Sequence, residues 1–127
     1  MFPFSDKFFA AVRALAGAGA LKKRLIAAYG DHLEPLPKAD IPESIRPQFE
    51  SLWRAMHAVK PMSTESPIVA SIRKMSATEV AWCATCIVAM FSELVSDKAT
   101  GEPLRLLSRA DTDILVEIAQ RRASTLN

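Results

Sequence analysis

Residues 76–95 read SATEVAWCATCIVAMFSELV, and the spacing of their apolar side chains decides the fold. Ser76 and Glu79 have the spacing of a capping box, in which a serine hydroxyl and a glutamate carboxylate satisfy backbone donors at a helix start. Val80, Cys83, Ala84, Ile87, Val88, Phe91, Leu94 and Val95 then recur at steps of three and four, the period of a helix face. Trp82, Cys86 and Met90 widen that face on one flank, and Ala81, Thr85 and Ala89 make a stripe of small residues on the other. A helix apolar around most of its circumference belongs inside a core or a subunit contact. The stretch predicts a central helix over about 77–96.

Upstream, Ser66 before Pro67 starts a helix carrying Ile68, Val69, Ile72 and Met75. Phe49, Leu52, Trp53 and Met56 share another helical face, with Ile45 leading in and Pro61 ending it. Pro47 suits the first turn of that helix, where its missing N–H is no loss. Glu50 and Arg54 stand four apart in the favourable order for an exposed pair. The segment LEPLPKADIPESIRP, 33–47, is a proline-punctuated connector in which Asp40 and Glu43 again have capping-box spacing, so a short helical turn is expected there. Nearer the N-terminus, Phe8, Phe9, Val12, Leu15 and Ala16 define a helix after Ser5, stopped by Gly17 and Gly19. Leu21, Leu25, Ala28, Tyr29 and Leu33 define the next, with Gly30 obscuring its end. Downstream, the turn-like DKATGEP (97–103) precedes a last helix capped by Ser108, with Ile114, Leu115 and Ile118 inward and Arg121 and Arg122 in its final turn.

No segment alternates in the manner of a strand, and no hairpin dipeptide or solenoid repeat occurs. The expected fold is all-α: one domain over 1–127, a bundle of five or six helices around the central one. The chain has 127 residues, half of them apolar and 24% charged, which is globular composition. A net charge of +2 carries no polyanion-binding excess. Asp6 and Arg13 interrupt the apolar N-terminal stretch, which therefore reads as a folded helix and not as a signal peptide. The longest uncharged run, 80–92, falls short of the roughly 18 residues of a membrane span. A cytoplasmic protein is expected.

The chemical motifs read poorly. Cys83-Ala-Thr-Cys86 lies well inside an apolar helix with no preceding strand, whereas redox pairs sit at a helix N-terminus that stabilises the thiolate. Two cysteines supply half a tetrahedral zinc site, but His32 and His57 are not spaced to complete it. Ile87 after Cys86 excludes haem attachment of the CxxCH type. No phosphate loop, dinucleotide fingerprint or nucleophile elbow is present. A helix-turn-helix reading of 66–96 fails because its second helix lacks the polar and basic residues that reach base edges. No catalytic residue, metal or cofactor is therefore expected.

The N-terminal third is compositionally unusual. Lys7, Arg13, Lys22, Lys23 and Arg24 occur in 7–30 without an acidic residue, and Phe2, Phe4, Phe8 and Phe9 are four of the six phenylalanines. Such a segment can lie on an anionic membrane. The plainer reading puts the phenylalanines in the core and Lys22 to Arg24 in a solvated turn. The expected function is that of a non-enzymatic interaction or adaptor protein acting through helix-packing surfaces. Phe4, Phe8, Phe9, Ala81, Thr85 and Ala89 are the candidate interaction surface. A homo-oligomer or another protein is the expected partner, and neither nucleic acid nor a membrane surface is. The alternative is a small-molecule-binding protein or enzyme with a pocket near Trp53, His57, Trp82 and Met90.

Overall fold

Every regular element in residues 4–96, the part of the chain that the computed structural model describes, is helical. Phe2, the 97–103 turn and the helix expected after Ser108 lie outside the described residues. The elements are α1 (Ser5–Leu15), α2 (Leu21–Ala27), a π turn (Ala28–Leu33), a 3₁₀ turn (Lys38–Asp40), α3 (Arg46–Met56), α4 (Pro67–Arg73) and α5 (Ala77–Leu94).

α1 starts at Phe4, whose φ of 67° is left-handed, a conformation a bulky residue adopts only at a cost. Its ring is held against the core. Phe8, Ala11 and Leu15 face inward, and the Phe8 ring meets Phe49 edge-on at 6.2 Å. The chain reverses through Gly19, whose φ of 100° explains the glycine. α2 begins directly after, so Lys22, Lys23 and Arg24 are helical and not a solvated turn. Two of them close the ends of other helices. Arg24 donates to the carbonyls of Leu15 and, at 2.9 Å, Gly19. Lys22 Nζ donates to the Arg73 carbonyl at the end of α4, 2.9 Å away. Cations are favoured there by the helix dipole and by the unpaired carbonyls.

Gly30 does not end the second helix. The chain widens into the π turn, and the Glu34 N–H reaches back to the Tyr29 carbonyl at 2.8 Å. Asp40 caps nothing with its side chain; the turn it ends is 3₁₀. α3 begins at Arg46 with Pro47 in its first turn, as the missing proline N–H allows. It ends at Met56, well before Pro61. The cause is His57, whose ring Nδ1 takes the Trp53 carbonyl at 2.8 Å while its backbone N–H shifts to the Arg54 carbonyl. Among the described residues the ion pairs are His57–Glu34 and Arg73–Glu65; Glu50 and Arg54 do not form one.

Both serine caps stand where the sequence places them. Ser66 Oγ accepts from the Val69 N–H at 3.1 Å. At α5 the box is complete: Ser76 Oγ accepts from the Glu79 N–H, and Glu79 Oε1 accepts from the Ser76 N–H, both at 3.1 Å. α5 then lays Val80, Cys83, Ile87, Met90, Phe91 and Leu94 inward against α1, α2 and α3. It is not enclosed on all sides among the described residues. Trp82 and Val88, placed by spacing on or beside the apolar face, are 50% and 40% exposed. A uniformly apolar helix does not reveal which side its neighbours choose.

Ser76→Ala is expected to cost about 1 kcal/mol of stability, read as a lowered denaturant midpoint. The Ser76 N–H also holds the Glu79 carboxyl below the usual carboxylate range. The carboxylate's contribution is therefore present at neutral pH and lost as pH falls through that lowered range. Glu79→Gln and wild type should converge in acid, whereas the Ser76→Ala deficit should persist there, because alanine keeps the backbone N–H that meets Glu79. An unchanged midpoint at neutral pH contradicts this account of the helix start.

Candidate functional site

Two features of the surface stand apart from ordinary packing. The first is the outward side of α5. Between Glu79 and Glu93 its exposed positions are Ala81, Trp82, Thr85, Val88 and Ala89, and none carries a charge. Thr85, the one hydroxyl among them, donates to its own helix at the Ala81 carbonyl, 2.9 Å away. That leaves no donor needing water. Phe9 on α1 borders this side: it is 49% exposed and packs on Phe91 with ring centroids 5.6 Å apart. The Arg13 guanidinium lies 5.9 Å from the Phe9 ring centre.

The second feature is a polar cluster between the π turn and the end of α3. His57 Nε2 lies 2.9 Å from Glu34 Oε1, and its ring stacks on Trp53 with centroids 4.1 Å apart. Lys38 Nζ sits 3.6 Å from the Trp53 ring centre. The buried Tyr29 hydroxyl has no partner in good hydrogen-bond geometry, although the Glu34 carboxylate lies beside it. Burial pushes the Tyr29 phenol well above its usual range, and the neighbouring charge of Glu34 adds to this. The phenol is therefore neutral at any physiological pH. Both ring nitrogens of His57 are occupied, one by a carbonyl and one by a carboxylate. A general base needs a free nitrogen facing substrate, and this histidine offers none.

Of the residues proposed for a pocket, the structure stacks Trp53 with His57. Trp82 stands on the outer side of α5 without a ring contact to either, and Met90 is buried in the core. Of the candidate interaction residues, Ala81, Thr85 and Ala89 share the exposed side of α5, and Phe9 lies at its border. Phe8 is withdrawn from any surface, being fully buried; residues 8 and 9 point to different sides of α1. Phe4 is half-buried against the core. Glu34, Lys38 and Tyr29 were missed by sequence reasoning. Their meeting with α3 depends on the π turn, which has no signal in apolar spacing.

The cysteines are free thiols. Burial pushes the Cys83 thiol up to about 11, with the charges of Cys86 and Glu79 adding, and burial also raises Cys86. Cys83 contacts the Met75 sulfur at 4.0 Å. These are the conditions of packing groups and not of nucleophiles. Among the described residues no three His, Cys, Asp or Glu side chains converge as a metal set would require. By length and composition α5 is able to cross a membrane, with 18 residues and a hydropathy of 1.3; its inward side is instead packed on three helices. The chain matches no protein-family model, no curated protein and no solved structure.

Raising a thiol from 9.0 to about 11 leaves roughly a hundredfold less thiolate at neutral pH. Cys83 in the native protein should therefore resist alkylation at pH 7.5, Cys86 should react first, and both should react at the rate of free cysteine once unfolded. Mass spectrometry of partly alkylated protein checks this, and preferential modification of Cys83 contradicts it.

Proposed function

We propose that the protein is a non-enzymatic interaction protein whose docking surface is the outward side of α5, and that a second copy of the chain occupies it. The observation that carries this reading is the uncharged, exposed run of Ala81, Trp82, Thr85, Val88 and Ala89. Solvent-facing helix surfaces ordinarily bear charges, and extended apolar patches on soluble proteins mark contacts with other molecules.

The composition of the face favours a copy of itself. Ala81, Thr85 and Ala89 form an i, i+4, i+8 row of short side chains, which lets a second helix approach closely along its own ridges. Trp82 flanks that row. About a two-fold axis, Trp82 of each protomer covers the small row of the other, so one patch supplies both a large anchor and a shallow groove. Tryptophan is the residue type most often found at the energetic centre of interfaces. The Thr85 hydroxyl enters such a contact already satisfied. Free thiols and the absence of a disulfide framework in the sequence suit a cytoplasmic setting.

Sedimentation equilibrium of the full chain should give a dimer mass at micromolar concentration. Ala81→Arg with Ala89→Arg should give a monomer whose helical circular dichroism is unchanged, because both positions are exposed in the single chain. A clean monomer mass for wild type, or a dimer that survives both arginines, overturns the reading.

A further inference from the structure

Read outward from Thr85, the exposed side of α5 is a palindrome of residue types. Three positions to either side stand Trp82 and Val88, the larger apolar side chains of the face, both exposed. Four positions to either side stand Ala81 and Ala89, and seven to either side stand two hydroxyls, Thr78 and Ser92. Steps of three, four and seven keep all of these on the same side of a helix.

That symmetry bears on how two copies meet. A two-fold axis perpendicular to a helix sets each residue against the one equally far beyond the axis in the partner, because such a contact is self-complementary. With the axis at Thr85, small meets small, apolar meets apolar and hydroxyl meets hydroxyl. A parallel pair sets every residue level with its own copy and needs no palindrome.

Charge favours the same direction. Within α5 the charged residues are Glu79 and Glu93. Glu79 is engaged in its own helix cap. Glu93 stands in the last turn, where the helix dipole disfavours an anion, and among the described residues it makes no ion pair. Packed antiparallel, it lies alongside the N-terminal end of the partner's α5, where the dipole favours an anion. Packed parallel, it lies level with its own copy, and the two dipoles point the same way. Phe9, held near the C-terminal end of α5 by Phe91, comes level in the antiparallel pair with the partner's N-terminal half. There Ala77 and Ala81 are small and exposed.

We propose, resting on the reading that a second copy occupies this face, that the two α5 helices pack antiparallel with the two-fold axis at Thr85. Ala81 of each copy meets Ala89 of the other, and Trp82 of each reaches the turn of the other that carries Val88 and Ala89.

The test is disulfide bridging in the full chain with Cys86→Ala, which leaves the buried Cys83 as the one native thiol. Ala81→Cys and Ala89→Cys are made separately and oxidised with glutathione disulfide, each alone and mixed in equal amounts. Helices in contact through alanine bring facing Cα atoms within the roughly 4.4–6.8 Å that a disulfide spans. Like positions in this register are eight residues apart along the helices, about 12 Å at 1.5 Å per residue. The mixture should therefore give a covalent dimer joining position 81 to position 89, identified by peptide mass, and neither variant alone should give one. Thr78→Cys mixed with Ser92→Cys should repeat this result at the two ends of the contact, and decides alone if a central cysteine weakens association. Bridging of either partner variant to itself, or no bridge in a mixture that sediments as a dimer, overturns the antiparallel register and leaves self-association standing. A monomer mass for the wild-type chain overturns self-association and the register with it.

Discussion

The inner side of α5 has to be dry, and the rest of the described structure is arranged to make it so. Val80, Cys83, Ile87, Met90, Phe91 and Leu94 are all buried, and side chains of this kind each gain about 1.5–3 kcal/mol by leaving water. No single helix is wide enough to cover that side. α1, α2 and α3 each take part of it, and α4 hands the chain into the capping box that fixes where α5 begins. The Phe8–Phe49 contact joins α1 to α3 beneath this layer. The same constraint explains the fate of the thiols. Cys83 is a packing group because its place on the helix turns it inward, and burial raises its thiol accordingly.

Much of this was legible in the sequence because the signals were local. A serine followed three positions later by a glutamate, or standing before a proline, carries its own hydrogen-bond partners, and both caps formed where those residues stand. Phe49, Leu52 and Met56 likewise turned inward at helical spacing. What escaped depended on contacts distant in sequence. Apolar spacing alone marked Trp82 and Val88 as inner or flanking residues, yet the neighbouring helices chose the other side. Lys22 reaches a carbonyl 51 positions away, so no local pattern foretold that a basic run would close helix ends. The end of α3 was misplaced for a similar reason: the His57 ring, not Pro61, takes the carbonyl that would have continued the helix.

The polar chemistry of the described residues goes largely into holding helices in place. Arg24 and Lys22 satisfy carbonyls, Glu79 and Ser76 satisfy N–H groups, and Glu34 and His57 join the two sides of the connector. Among the described residues, that distribution leaves the outward side of α5 as the conspicuous surface without an internal task. Its alanines, its self-satisfied threonine and its half-exposed tryptophan would be an unusual choice for permanent contact with water. They are an ordinary choice for contact with another helix. The functional reading rests on that contrast.

The most direct measurement follows Trp82 itself. With Trp53→Phe, Trp82 is the sole indole, and its emission maximum and acrylamide quenching report whether the outer side of α5 is wet. The account predicts a blue shift and falling quenching as the full chain is concentrated from nanomolar to micromolar, when a second copy covers the indole. An exposed, fully quenchable Trp82 at every concentration would contradict it.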